Sequence, residues 1–401
     1  MSEARVTTLT KVPGRLSETE ATQPGVLGKS FQYVDNLAKQ VECNGACTLP
    51  GCSFCFDVFI PIMQRAARRG FVLPERAAFV YEGLRYGFRC GVDVTKMRGR
   101  RRFSNYPSAF EASAKVSDAI RKRVDSSKTL CLGKFGEGDK SWIPFPVWCI
   151  FPMGAVKKKV EDAMRPVDDH TRTLLNASAE LEGLRFTLRT HQEVAECFHK
   201  MFYMSVKDVS DAFPLLPLHP SLWPFMMFCW YFVGTDNDGL VARMWCLYIH
   251  LFAGFGMAGM PGVWKIFFTD VVMGMARSEN VVDIPVHVFV DDCSLIGAIR
   301  QAVDVQGDAL ATFLLLLGIV MKAIKTLPAA QRQFYIGLWW DSAHRTLELD
   351  PARRDVYLQF FDELALQQRS WTLRDVQSCA GRAQRCMLTF RHGANCMLSP
   401  L

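Results

Sequence analysis

The segment Val286-His-Val-Phe-Val-Asp291-Asp292-Cys-Ser-Leu-Ile-Gly297 restricts the chain more than any other stretch. Five β-prone residues run into two adjacent acids, and a second apolar run follows at once. That pattern reads as a β-hairpin with carboxylates at its tip. Adjacent carboxylates at the end of a buried strand repel each other, and holding them there is costly without a cation. Two arrangements satisfy the pattern: a turn with both acids in water, or acids gathered on a metal.

A second strand pattern also ends in acid, Met204-Ser-Val-Lys-Asp208-Val-Ser-Asp211-Ala-Phe213-Pro-Leu-Leu-Pro-Leu218. Asp208 and Asp211 are three apart, so a short turn or helical start after the strand sets them on one side. An Asp-decorated helix N-terminus is the plainer alternative. Two strands with acids at neighbouring ends can hold two divalent cations about 3.5–4 Å apart, the clamp used for in-line phosphoryl or nucleotidyl transfer. Mg²⁺, with Mn²⁺ as a substitute, suits such hard oxygen ligands and fills its shell with water and phosphate.

Charge and composition agree with a polyanionic partner. The 401 residues carry 47 Lys+Arg against 40 Asp+Glu, and 49% are apolar, which excludes a disordered chain. Residues 1–200 hold 31 basic and 22 acidic residues, whereas residues 201–401 hold 16 and 18. Between Arg85 and Arg123 there are 11 basic and 3 acidic residues, including Arg98, Arg100, Arg101 and Arg102. Such a run fits phosphate neutralisation with counterion release; a solvated basic face is the alternative. Several of the fourteen cysteines sit in apolar runs, and no basic-then-apolar leader opens the chain. The expectation is an intracellular protein with reduced thiols. Cys43, Cys47, Cys52 and Cys55 are close in sequence, but their spacing is not that of a zinc knuckle, and ordinary thiols in a Gly/Pro-rich loop are the simpler reading. Met244–Trp264 is apolar, but His250 and its glycines point to a strand, a turn and a helix start rather than a membrane span.

Along the chain, residues 1–30 read as a polar tail, with helices expected near 56–70, 75–87 and 108–126. Short strands with a basic loop are expected over 145–190, and helices over 351–401, where Thr372 and Asp375 have capping-box spacing.

Taken in order, several segments resemble the palm of a reverse transcriptase. They are Asp208-Val-Ser-Asp-Ala-Phe213, Phe255-Gly-Met-Ala-Gly-Met-Pro261, Phe289-Val-Asp-Asp292, Leu317-Gly-Ile-Val-Met-Lys-Ala-Ile-Lys325 and Phe334-Tyr-Ile-Gly337. Upstream, Gly154-Ala-Val-Lys-Lys-Lys159 and Met164-Arg165-Pro-Val-Asp168 are similar to that family's fingers hairpin. Gly83-Leu-Arg-Tyr-Gly-Phe88, Asn105, Ser108 and Ser370-Trp-Thr-Leu-Arg-Asp-Val-Gln-Ser378 look like regions flanking the polymerase in DIRS-type retroelements.

The resemblance implies roles for particular positions. Asp208 and Asp291 become the principal metal ligands, with Asp292 completing the acidic tip. Asp211 lies near the triphosphate or is structural. Phe213 matches the aromatic gate that leaves no room for a 2′-hydroxyl. Arg165 and Lys158 grip the triphosphate, although Lys157, Lys158 and Lys159 are equivalent in the sequence. Phe255 and Gly256 approach the nascent base pair, and Lys325 matches a basic residue able to protonate pyrophosphate or to be a plain surface lysine.

The implied fold is α+β, a right-hand polymerase. Fingers fall near 140–200 and 214–252, palm near 201–213 and 253–345, and thumb-like helices follow Asp350. A mostly helical, basic extension precedes them over 31–139. The implied activity is RNA- and DNA-templated DNA synthesis, with a template-primer and deoxynucleoside triphosphates as partners and no membrane. The alternatives are a silent nucleic-acid-binding relic and an RNA-dependent RNA polymerase. Related elements continue into RNase H and a recombinase, so the chain is expected to be a fragment or a polymerase-only remnant.

Overall fold

The computed structural model describes residues 25–157, 164–186, 191–235, 241–366 and 371–387. Helix and sheet are mixed throughout. The chain divides into two units, one built from Met1–Phe186 and Asp211–Met275, the other from Thr187–Ser210 and Ala276–Leu401.

Three helices open the first unit. Helix α1 (Val26–Asn44) buries Leu27, Phe31, Val34, Leu37 and Val41 at helical spacing and stops at Gly45, whose φ is 99°. Helix α2 (Phe56–Arg68) follows, then α3 (Pro74–Tyr86), which starts on Pro74 and ends at Gly87. The strand β1 (Arg100–Arg102), helices α4 (Pro107–Glu111) and α5 (Ser113–Asp125), and strands β2 (Thr129–Lys134) and β3 (Trp148–Phe151) come next. Strands β4 (Met153–Lys157) and β5 (Met164–Asp168) pair as an antiparallel hairpin. The chain then supplies α6 (His191–Cys197) and β6 (Tyr203–Asp208) to the second unit. It returns with β7 (Met227–Thr235) and β8 (Val241–His250).

The sheet of the first unit has the order β1-β3-β7-β8-β2. Val116 and Ile120 of α5 pack with Phe151, Phe228, Trp230 and Tyr248 to form its core. The stretch expected to be a helical extension thus holds helices and also two of the five strands, β1 and β2. The apolar run from Met244 resolves into the end of β8, a glycine turn and helix α7 (Met260–Trp264). A π-helical stretch over Lys265–Val272 carries α7 into α8 (Met273–Ser278). Among the described residues no helix is long and apolar enough to cross a membrane.

The second unit is organised around an antiparallel sheet of order β11-β6-β10-β9. Its strands are β6 with β9 (Val286–Phe289), β10 (Asp292–Gly297) and β11 (Leu327–Ala330), and helix α9 (Arg300–Leu316) packs on it. Strands β12 (Arg332–Tyr335), β13 (Leu338–Asp341) and β14 (Thr346–Leu349) form a meander whose Tyr335, Leu338 and Trp340 share a core with Met204, Val206 and Ile296. The Tyr335 hydroxyl donates to the carbonyl of His287 at 3.0 Å, tying meander to sheet. Helices α10 (Pro351–Leu366) and α11 (Leu373–Met387) follow. The Thr372–Asp375 capping box forms at the start of α11: the Thr372 amide donates to Asp375 at 2.9 Å and the Asp375 amide donates back to Oγ1 at 3.2 Å.

Candidate functional site

Strands β9 and β10 are joined by Val290 and Asp291, because Asp292 pairs across with Phe289. Val290 has a φ of 58°, and Asp291 is not left-handed. A left-handed first corner followed by an ordinary second one is the pattern of a type II′ turn, where glycine is usual. A β-branched residue there costs about 1–2 kcal/mol. On the other side of β10, Asp208 is the direct cross-strand partner of Asp292.

Backbone bonds close this end of the sheet. The Val209 amide donates to the Asp291 carbonyl at 2.8 Å. The Lys322 amide donates to the Asp208 carbonyl, and the Ser210 amide to that of Val320, each at 2.8 Å. Asp208, Asp291 and Asp292 are therefore fixed together, with one oxygen of each within 4.8 Å of the others. That is well inside the span two bridging cations require. Among the described residues this is the one group of three or more such side chains with that geometry.

The electrostatics of the trio are uneven. Burial pushes Asp208 up, but Lys322 and Lys325 overcome it and hold the carboxyl below its ordinary range. Asp208 is 1% exposed; its Oδ1 lies 2.5 Å from Lys322 Nζ, and its Oδ2 accepts from Lys325 Nζ at 2.8 Å. Burial and the Asp208 charge raise Asp291. Burial, the Asp291 charge and the hydrogen bond with Asp208 push Asp292 up to about 7. Lys325 is opposed by burial but raised by Asp208, Asp292 and Asp291. A set of hard oxygens whose mutual repulsion a cation would relieve fits Mg²⁺ or Mn²⁺.

The first unit gathers a different set. Phe213, 7% exposed, lies 5.2 Å from the Phe255 ring, and the Arg165 guanidinium sits over that ring at 5.1 Å. Gly256 has a φ of 103°, and a Cβ there would lie 2.2 Å from the Asp168 carbonyl oxygen. Glycine is required on both counts. Asn176 fastens the same turn: its Nδ2 donates to the Gly256 carbonyl and its Oδ1 accepts from the Ala258 amide, both at 2.8 Å. Arg165, Phe213, Phe255 and Gly256, read separately in the sequence, are thus brought together.

Other expected positions stand apart from these two sets. Asp211 is exposed, has a φ of 49° and is no member of the acidic trio. Lys158 and Lys159 lie outside the described residues, and Lys157 is exposed at the end of β4. Arg98 and Arg100 are exposed, while Arg101 and Arg102 are half-buried. Arg98 donates to the Met97 carbonyl at 2.9 Å, Arg100 to that of Pro146 at 3.3 Å, and Arg102 stacks on Phe135 at 5.3 Å. Cys43, Cys47, Cys52 and Cys55 do not bring three sulfurs within metal-ligand reach of one another.

Two features escaped the sequence. Lys322 was read only as part of a motif, although Leu317–Lys325 held the signal. The second is a buried polar cluster in the first unit. Asp168 Oδ2 lies 3.6 Å from both Arg123 and His250, and His250 Nδ1 is 2.6 Å from Thr129 Oγ1. Burial raises Asp168, but His250 and Arg123 prevail and hold it far below the carboxylate range. Burial lowers His170 to about 4, and its ring meets Phe151 at 4.7 Å. A polar His250 inside an otherwise apolar run was the available clue.

No protein-family model and no curated protein sequence matches the chain. Solved structures do. The foamy viral protease-reverse transcriptase dRH in complex with double-stranded DNA matches with a TM-score of 0.50 and 15% identity, over 73% of this chain and 44% of that one. The foamy viral protease-reverse transcriptase in complex with double-stranded DNA matches with a TM-score of 0.47 and 15% identity, over 74% and 52%. This chain spans about half the length of those chains. The first likeness establishes a reverse transcriptase-like fold.

Proposed function

We propose that the chain is an RNA- and DNA-templated DNA polymerase, a reverse transcriptase of a retroelement, of DIRS type or a related LTR-like element. One observation carries this reading: the cross-strand pairing of Asp208 with Asp292, with Asp291 in the turn, which brings three distant carboxylates within 4.8 Å. The reverse transcriptase-like fold and the DNA bound in the foamy viral structures support it.

In this reading Asp208 and Asp291 hold two Mg²⁺ ions and Asp292 completes the charge at the tip. When bound, the ions supply Lewis acidity toward the primer 3′-hydroxyl and the leaving pyrophosphate. The protein's share is positioning and charge. Lys325 Nζ, held protonated by Asp208, Asp292 and Asp291, is the proton donor toward pyrophosphate. Arg165 binds triphosphate oxygens through its planar fork, while its contact with Phe255 fixes the guanidinium. Phe213, braced by Phe255 and Trp264, is the gate against a 2′-hydroxyl. Asp211 serves the triphosphate from its exposed turn, as does Lys158 from the fingers hairpin. The palm is 201–213 and 253–345, the fingers 140–200 and 214–252, and the thumb-like helices follow Asp350.

Primer extension on RNA and DNA templates tests the assignment. DNA product with Mg²⁺ and deoxynucleotides is expected. No product with either nucleotide set points to a silent relic, and preference for ribonucleotides points to an RNA polymerase. Phe213→Ala should admit ribonucleotides; unchanged sugar discrimination removes the gate.

A further inference from the structure

The motif Gly83-Leu-Arg-Tyr-Gly-Phe88 plays no part in the nucleotidyl-transfer reading, yet the structure gives it a definite task. Its glycines build the wall of a cavity. A Cβ on Gly83 would lie 2.1 Å from the Phe88 ring, and one on Gly87, whose φ is 87°, would lie 2.5 Å from the His219 amide nitrogen. Only glycine at both positions lets Phe88 fold back under α3 and lets the 217–219 segment come alongside. The Phe88 amide donates to the Pro217 carbonyl at 2.8 Å, and the His219 amide returns to Phe88 at 3.2 Å.

Beside this close packing lies a half-open cavity of about 490 Å³, lined by Phe79, Glu82, Tyr86, Phe88, Arg89 and His219. Its size is that of a small-ligand site. Phe79 and Phe88 meet at 6.0 Å along its wall, and Tyr86, 46% exposed, offers a ring to solvent. Arg89 is exposed and reaches His219 Nε2 at 3.1 Å, while His219 Nδ1 faces the Ser221 hydroxyl at 2.8 Å. The lining carries one acid, Glu82, beside the Arg89 cation, and in sequence Arg89–Arg102 holds six basic residues and one acid, Asp93.

Aromatic faces, a few polar groups at the edge and an exposed cation are what an unpaired nucleobase with its phosphate requires. We propose that this cavity holds an unpaired base of a single-stranded nucleic acid, stacked on Tyr86, with its phosphate on Arg89. This deepens the polymerase reading, because it gives the chain a grip on single-stranded template, but its test needs neither metal nor turnover. A free nucleotide carries the same chemistry, and the two sources are separated below.

The test uses the full chain and a single-stranded 20-mer carrying one 2-aminopurine, without divalent metal. Binding should quench the fluorophore. Tyr86→Ala should abolish the quench and raise the Kd by about tenfold, as expected for the loss of one stacked base. Tyr86→Trp should keep both, and Arg89→Gln should weaken the 20-mer without affecting a blunt duplex. Because Tyr86 and Arg89 are exposed, unchanged thermal melts are expected and are checked alongside. 2-Aminopurine riboside monophosphate supplies the second arm: quenching by the monophosphate at micromolar concentration assigns the cavity to a free nucleotide and overturns the strand assignment. An unchanged quench and Kd in both Tyr86→Ala and Arg89→Gln overturns the proposal. So does equal weakening of single strand and duplex. Failure of primer extension with this quench intact removes the polymerase reading and leaves the cavity.

Discussion

Two buried carboxylates, one in each unit, show opposite ways of keeping a charge inside a protein. Asp168 in the first unit is 4% exposed and faces Arg123 and His250. Its charge is answered, and its carboxyl stays ionised far below the usual range. In the second unit Asp208 is as deeply buried and is answered by Lys322 and Lys325, but the neighbouring Asp291 and Asp292 bring the acids to three against two lysines, and Asp292 is driven up to about 7. A complete ion pair is structure; an acid excess set on a strained turn is a receptor for cations.

The sharpest way to break this contrast is to remove one acid from each. Asp291→Asn should lower primer extension by on the order of 10³-fold, the value of several kcal/mol of metal-assisted stabilisation, with template binding retained. Asp168→Ala should instead destabilise the fold by about 3 kcal/mol, because it leaves half-buried Arg123 without its counter-charge and takes from buried His250 its acidic neighbour. Denaturant unfolding reads the second effect. Comparable activity loss with unchanged stability in Asp168→Ala would erase the distinction.

Metal addition sharpens it next. At about 100 times its Kd, Mg²⁺ should stabilise the metal-free chain by about 2.7 kcal/mol. Asp291→Asn should lose most of that gain and Asp168→Asn none of it; differential scanning fluorimetry measures both.

Acidity separates the regions a third way. His170 is neutral in the folded state, with its pKa lowered to about 4 by burial from an ordinary 6.5. Below pH 6.5 the unfolded chain takes up a proton that the folded chain refuses, so stability falls as pH drops from about 6.5 to about 4. His170→Phe should flatten that slope. A slope unchanged in the variant would show that other groups carry it. The smallest effect is expected at Val290, where Val290→Gly relieves the left-handed corner and should stabilise the fold by about 0.5 kcal/mol, the strain less the glycine entropy.

The contrast also marks what the sequence discloses. Asp208, Asp291 and Asp292 were legible because they stand where an apolar strand pattern breaks off and a turn begins. Phe213, Arg165 and Phe255 were legible only through the order of motifs; that they pack together depends on how β5 and the turn after β8 meet. Asp168, His170, His250, Arg123 and Thr129 were not legible as a cluster. Each is a single polar residue within or beside an apolar element, and no local pattern links positions far apart in the chain. Strand β1 was hidden because a three-residue run of arginines carries no apolar alternation, and β2 because a short apolar run does not by itself tell a strand from a buried helix segment. Asp211 falls in a turn after β6 with a φ of 49°, a conformation that its spacing from Asp208 does not disclose.

Strand β6 has one further consequence. It leaves the ribosome before both strands that flank it, β10 and β11. At usual elongation speeds, roughly 4–17 s of synthesis separate Asp208 from Asp292. During that interval the future centre of the sheet has two open edges and no partner. A nascent chain released before Gly297 therefore displays a bare, aggregation-prone ribbon, and quality-control factors in the producing cell would meet it as a client rather than as an enzyme.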